Sequence, residues 1–136
     1  MNCAFVVVSK DTTLKSQSQV FPDLFLEKLI KEQNLIINGV IPILSKQLGE
    51  YESNKEVWDN HTVINQIDKI ENGDLAIIVD CGEGDFFLNV NKDLHNRLLE
   101  RKIDHDFITR PGAHNGQYWN NSIDYQILFF DKFFKK

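Results

Sequence analysis

Only two cysteines, Cys3 and Cys81, occur in the 136 residues. That is too few for a disulfide scaffold, and neither sits in a C-x-x-C or other metal spacing. No apolar run approaches the roughly 20 residues of a membrane-spanning helix, so no membrane association is expected. The apolar start lacks the basic region and small-residue cleavage site of an export signal, which makes the cytoplasm the default expectation. Lys and Arg number 15 against 20 Asp and Glu, for a net charge of −5. A chain of that sign has no general electrostatic attraction for nucleic acid, and no nucleic-acid partner is expected. Internal repeats and low-complexity stretches are absent too. What is present, 42% hydrophobic and 26% charged residues, suffices to bury a core and argues against disorder. The length bounds the chain to one domain or to part of a larger one, since many single-domain enzymes run to about 200–250 residues.

The chain changes character near residue 45. Residues 1–50 balance five basic against five acidic residues, so the whole net charge lies in 51–136, and six of the seven glycines fall from Gly49 onward. Ser53-Asn54-Lys55-Glu56 has the pattern of a capping box, and Val63, Ile67 and Ile70 then recur at helical spacing up to a stop at Asn72-Gly73. Leu75 to Val79 is a short unbroken apolar run, which suits a strand buried on both faces of a parallel sheet. A loop from Asp80 to Asp85 follows. Val90, Leu94 and Leu98 mark a helix capped by Asn89 or Asn91, and His105 to Arg110 reads as a short strand closed by Pro111-Gly112. Trp119, Ile123, Ile127, Phe130 and Phe134 form a stripe at helical spacing that predicts a terminal helix docked through that face. Helices alternating with strands predict an α/β fold, a small mainly parallel sheet flanked by helices and built from right-handed β-α-β units. In the first part, Cys3 to Val8 reads as a strand, Phe21 to Ile30 as a helix, and Leu35 to Leu44 as a strand broken by Pro42. Lys10 to Gln19 carries no clear signal.

In parallel sheets, functional groups gather on the loops that leave the carboxyl ends of strands. One such loop holds Asp80, Glu83 and Asp85 among turn-permitting Gly82 and Gly84. The next holds His114 after Pro111-Gly112-Ala113. A carboxylate on one loop and a histidine on the other could act as orienting acid and general base of a nucleophilic triad, because the carboxylate fixes the imidazole tautomer and stabilises the imidazolium that forms. Each residue also has a plainer reading. Aspartates in Gly-rich loops commonly form turns or cap helices, and a single loop histidine is commonly solvated.

A triad needs a nucleophile, and the G-x-S-x-G elbow places small residues around a serine on a strained turn. None of Ser9, Ser16, Ser18, Ser45, Ser53 and Ser122 has glycines at −2 and +2. Cys81 is flanked there by Val79 and Glu83, and it precedes the acid where a nucleophile would lie far upstream. The alternative of a small metal hydrolase using His95, His105 or His114 finds no H-E-x-x-H or similar spacing. On a regular strand Asp104, His105 and Asp106 cannot all point at one ion. No metal and no cofactor are therefore expected.

The run Leu75-Ala76-Ile77-Ile78-Val79-Asp80-Cys81-Gly82-Glu83-Gly84-Asp85-Phe86-Phe87, followed by a helix and then by His105-Asp106-Phe107-Ile108-Thr109-Arg110-Pro111-Gly112-Ala113-His114 and Tyr118-Trp119, resembles the C-terminal portion of an esterase family of α/β-hydrolases. That family includes S-formylglutathione hydrolases, feruloyl and acetyl esterases, and mycolyltransferases. Its pattern is a strand ending in D-x-G-x-x-D, then a P-G-G-H loop, aromatics and a last helix; here Ala113 stands in place of the second glycine. The resemblance covers about residues 45–136 and implies an α/β-hydrolase fold, with Asp85 as triad acid and His114 as triad base. It also implies an ester as substrate of the intact enzyme. Residues 1–44 do not follow the family's pattern, and the serine elbow has no counterpart in the chain. The reading that follows is a C-terminal fragment of a serine carboxylic-ester hydrolase, inactive alone. The alternative is a non-catalytic remnant or interaction module that pairs with another chain, or with its own copy, through an exposed sheet edge.

Overall fold

Alternation along a strand sends successive side chains to opposite faces of a sheet, and the apolar run at 75–79 can therefore serve two layers at once. A computed structural model of the chain describes residues 4–8 and 41–135, and these form a mixed α/β structure. Strand β1 (Ala4–Val8) lies antiparallel to β2 (Ala76–Gly82), and β2 lies parallel to β3 (Asp106–Arg110), in the order β1-β2-β3. Among the described residues the sheet is thus one parallel and one antiparallel pair, rather than mainly parallel as the alternation suggested. The antiparallel pairing of Ala4–Val8 has no counterpart in that expectation. Helix segments are α1 (Ile41–Leu48), α2 (Lys55–Asn60), α3 (Val63–Gln66), α4 (Leu88–Glu100) and α5 (Gly116–Phe134). The chain divides by spatial contact into two compact units, one holding β1 and everything from Ile70 onward, the other holding α1 to α3.

In the first unit, β2 is the central strand and is buried almost throughout. Cys81 faces α4, where Asn91 Nδ2 donates to its sulfur at 3.4 Å. Asp80, one residue earlier, faces α5 and accepts from Tyr118. The two helices thus cover opposite faces of the strand. Ile77, Ile78, Val79, Val90, Leu94, Leu98 and Ile103 fill the core, each aliphatic side chain worth about 1.5–3 kcal/mol when fully buried. Helix α4 ends where Lys102 takes φ 57°, with Ile103 N–H donating to Leu98 O at 2.9 Å and Lys102 N–H to Leu99 O at 2.9 Å. This paired closure satisfies two terminal carbonyls and turns the chain into β3.

The second unit is built around Trp58, fully buried, with Leu44 beside it and Leu48 and Tyr51 packed on it. The Trp58 indole N–H donates to Gly49 O at 2.9 Å, and its ring meets Tyr51 edge-on at 5.7 Å.

Several sequence expectations need correction. Residues 41–44 are helical, not part of a strand, because proline fits the first turn of a helix, where its missing N–H has no partner to lose. Residues 35–40, the expected helix at 21–30 and the unassigned stretch at 10–19 lie outside the described residues. Ser53 and Glu56 form no capping box: Ser53 ends a 3-10 turn (Tyr51–Ser53), and Asn54 is the N-cap of α2 without a side-chain cap bond. The single helix expected up to Asn72 is broken at His61-Thr62 and finishes in a 3-10 turn (Ile67–Lys69). Helix α4 starts after Phe87 with neither Asn89 nor Asn91 as cap, and Asn91 is buried inside it, donating to Phe87 O at 2.9 Å. Strand β2 runs on through Asp80, Cys81 and Gly82 rather than ending at Val79.

The correction at α5 is the most informative. The expected inward stripe is mostly outside: Ile123 is 51% exposed, Ile127 57% and Phe134 72%. The inward face lies one residue earlier, through the buried Tyr118 and Ser122. Polar groups set this rotation, since the Tyr118 hydroxyl and Ser122 Oγ meet Asp80 and Arg110 beneath the helix.

Candidate functional site

Parallel β2 and β3 deliver their following loops to the same edge of the sheet, and backbone hydrogen bonds continue between those loops. Glu83 N–H donates to Arg110 O at 2.8 Å and Gly84 N–H to Gly112 O at 2.7 Å. That approach needs a bare glycine at 82, where a Cβ would stand 2.6 Å from Gly112 O. Gly112 itself has φ 147°, and a Cβ there would stand 2.3 Å from Tyr118 Cδ2. Both positions therefore exclude side chains for steric reasons.

At the end of the first loop, Asp85 tightens a turn, with its N–H donating to Gly82 O at 3.0 Å. Its Oδ1 accepts from Phe87 N–H at 2.8 Å, and its Oδ2 faces His114 Nδ1 at 2.9 Å. The Asp85 side chain is almost fully buried, whereas 18% of the His114 side chain is exposed. Because the carboxylate accepts, Nδ1 carries the proton, and Nε2 of the neutral ring is left with its lone pair. No hydrogen bond to Nε2 occurs among the described residues. Three aromatic rings hold the imidazole in place. Phe86 lies 4.6 Å away, Phe87 5.5 Å, and Trp119 5.2 Å in an edge-on contact. The two residues singled out from the sequence are thus in hydrogen-bond contact across 29 positions of chain. A carboxylate-oriented imidazole with an open Nε2 has the geometry to take a proton from a hydroxyl and return it to a leaving group.

The helix that follows is capped by Asn115, whose Oδ1 accepts from Tyr118 N–H at 3.0 Å. The side-chain oxygen satisfies one of the orphan N–H groups of the first turn, and this fixes α5 directly behind His114.

Beneath this pair lies a second cluster that composition and spacing did not disclose. Asp80 is fully buried; it accepts from the Tyr118 hydroxyl and forms an ion pair with Arg110 Nη2. Arg110 also donates to Ser122 Oγ at 2.8 Å and to Asn121 O at 3.2 Å, with the rings of Tyr118 and Tyr125 within 5.1 Å and 4.1 Å of its guanidinium carbon. Burial works against the Arg110 charge, but Asp80 and Tyr118 outweigh it and hold the guanidinium above its ordinary value. Burial first, and then the Asp80 carboxylate, push the Tyr118 phenol well above its usual range. The available signal was an aspartate ending a buried apolar strand, which demands a cationic or hydroxyl partner. What could not be read was which cation supplies it.

His95 and His105 form a third cluster. His105 Nδ1 donates to Ile103 O at 2.8 Å, and His95 Nδ1 lies 2.7 Å from His105 Nε2, with the His95 ring stacked on Phe107 at 4.5 Å. Among the described residues no group of three or more His, Cys, Asp or Glu side chains converges as a metal site. Asp104 instead bonds Asn72, whose Oδ1 accepts from Asp104 N–H at 2.8 Å.

Of the candidate nucleophiles described in the first unit, neither Ser122 nor Cys81 bonds His114. Ser122 is buried and donates to Tyr118 O at 3.1 Å, Cys81 is buried against α4, Ser45 lies in α1 and Ser53 in a 3-10 turn. Ser9, Ser16 and Ser18 lie outside the described residues. No protein-family model matches this sequence, and no curated protein matches it.

Proposed function

We propose that the chain is the C-terminal portion of a serine carboxylic-ester hydrolase of the α/β-hydrolase type, in which Asp85 orients His114 as general base. The observation that carries this reading is the 2.9 Å contact between His114 Nδ1 and the buried Asp85 carboxylate, with Nε2 left open. In the intact enzyme His114 Nε2 takes the proton of a serine hydroxyl as its oxygen attacks the ester carbonyl, and then gives it to the departing alkoxide. The Asp85 carboxylate accepts from Nδ1 and stabilises the imidazolium that forms. The serine comes from sequence outside these 136 residues.

On this reading the chain alone has no way to form an acyl-enzyme. Purified chain is expected to turn over p-nitrophenyl esters no faster than buffer, and the DNA beside its reading frame is expected to encode a G-x-S-x-G segment. Turnover by the isolated chain that disappears in His114→Ala would overturn the need for an outside nucleophile. A flanking sequence without any such segment would overturn the fragment reading.

A second reading, a module that pairs with another copy, is favoured by the outer place of β3 among the described strands and by the exposed Ile123, Ile127, Leu128 and Phe134 on α5. Size-exclusion chromatography distinguishes the two. A dimer at micromolar concentration supports the module, and a monomer contradicts it.

A further inference from the structure

The contact between Asp85 and His114 joins two loops, and its length depends on what fixes the second loop relative to the first. We propose that Asp80 is a positioning residue for this pair, setting the 110–115 loop through Tyr118 and Arg110. The use of the pair in ester hydrolysis rests on the function proposed above, whereas its placement by Asp80 rests on geometry alone.

Asp80 stands opposite Ile108, and Gly82 opposite Arg110, in the parallel ladder. Gly82 has no side chain, so the guanidinium of Arg110 can reach diagonally across it to Asp80 Oδ2. Arg110 is the last residue of β3, and its carbonyl accepts the Glu83 N–H of the Asp85 loop. The other carboxylate oxygen, Oδ1, takes the Tyr118 hydroxyl. That bond holds the phenol ring against Gly112, two residues before His114. Tyr118 N–H is in turn bonded to Asn115, the residue after His114. The histidine is therefore bracketed on both sides by contacts that lead to Tyr118, and Tyr118 leads to Asp80. One fully buried carboxylate thus ties the end of β2, the end of β3 and the first turns of α5. Asp80 touches neither Asp85 nor His114 through any hydrogen bond among the described residues, so it acts through Tyr118 and Arg110.

The test uses the full chain labelled with 15N-histidine. His114 is assigned by its loss in His114→Gln, and its Nδ1 proton is followed by NMR. In the wild-type chain the proton is expected to be hydrogen-bonded and slow to exchange with solvent. Tyr118→Phe, which deletes one hydroxyl, and Asp80→Asn are expected to speed that exchange about tenfold, the population change that losing one hydrogen bond produces in a two-state loop equilibrium. Val90→Ala, a core truncation in α4, serves as control: it lowers the unfolding temperature but is expected to leave the His114 proton unchanged. If Asp80→Asn does not fold, Tyr118→Phe alone decides. Lowered stability in Tyr118→Phe with an unaltered His114 proton overturns the proposal and leaves Asp80 a purely structural ion-pair partner. A wild-type chain without the Nδ1 proton signal overturns it as well, because there is then no pair to position. A chain that gives the expected spectra while the intact enzyme cleaves no ester overturns the hydrolase reading and supports the positioning role.

Discussion

Replacing Asp80 by alanine removes the carboxylate that pairs with both Arg110 and Tyr118. Two costs follow from the structure. Arg110 loses its ion-pair partner in a site that is largely closed to water, and breaking a buried pair by deleting one member costs about 3–5 kcal/mol. Here 21% of the Arg110 side chain is exposed, so solvent offsets part of that and places the electrostatic cost toward about 3 kcal/mol. Tyr118 also loses the acceptor of a buried hydroxyl, which adds about 1–2 kcal/mol. The expected loss is about 4–5 kcal/mol, a large share of the roughly 5–15 kcal/mol that holds a domain folded. For a chain of this size each 1 kcal/mol is worth about 3–5 °C, so the melting temperature should fall by roughly 12–25 °C. Urea unfolding followed by circular dichroism measures this, with a lower midpoint and an unchanged slope. Asp80→Ala combined with Arg110→Met should recover part of the loss, because the uncompensated charge is gone. An Asp80→Ala variant within about 0.5 kcal/mol of wild type would refute the view that this carboxylate anchors α5 to the sheet.

Gly112→Ala should destabilise by about 2–4 kcal/mol, since the added methyl meets the Tyr118 ring and the backbone sits at positive φ; the same urea titration checks it. Burial first, and then the neighbouring His105, lower the pKa of His95 below the ordinary 6.5. The folded state therefore binds this proton less readily than the unfolded chain, and the contribution of His95 is complete above about pH 6.5 and lost as pH falls through its lower folded value. The urea midpoint should thus decline between pH 7 and 5.5, and His95→Gln should flatten that decline; an unchanged slope would contradict the pairing with His105. In the second unit, Trp58→Phe keeps an aromatic ring but loses the indole hydrogen bond to Gly49, and should cost about 1–2 kcal/mol in the same titration.

The residues that speak most clearly in the sequence are those whose chemistry is local. The apolar run at 75–79, the Val90-Leu94-Leu98 spacing and the Pro111-Gly112 stop each identify an element that the structure contains, because burial period and turn chemistry act over a few residues. The Asp85 and His114 loops were legible for the same reason, as groups at the carboxyl ends of neighbouring parallel strands. Tertiary choices were not legible. The apolar stripe of α5 pointed to one face, yet buried polar groups at Tyr118 and Ser122 turned the helix by one residue, and no periodicity reports which hydroxyl will meet which carboxylate. The stretch from Ser53 to Ile70 fitted one helix, but the chain turns at His61-Thr62, where Thr62 is buried and its hydroxyl donates to Asp59 O at 3.2 Å. A capping box at Ser53 failed because a 3-10 turn already used that residue. The antiparallel β1 was invisible as such, since an isolated apolar segment specifies a strand but not the direction of its partner.

The claim that Asp85 and His114 are the acid and base of an ester hydrolase is tested most directly by catalysis in the presence of a nucleophile. Any G-x-S-x-G segment found in the flanking DNA is co-expressed with the chain, and p-nitrophenyl butyrate turnover is measured on the purified pair. Turnover should be present, and it should fall by several orders of magnitude in His114→Ala, and by a comparable factor in Asp85→Asn, where the imidazole loses its tautomer control. Activity that survives both substitutions would contradict the assignment, as would a folded and stable pair with no activity at all.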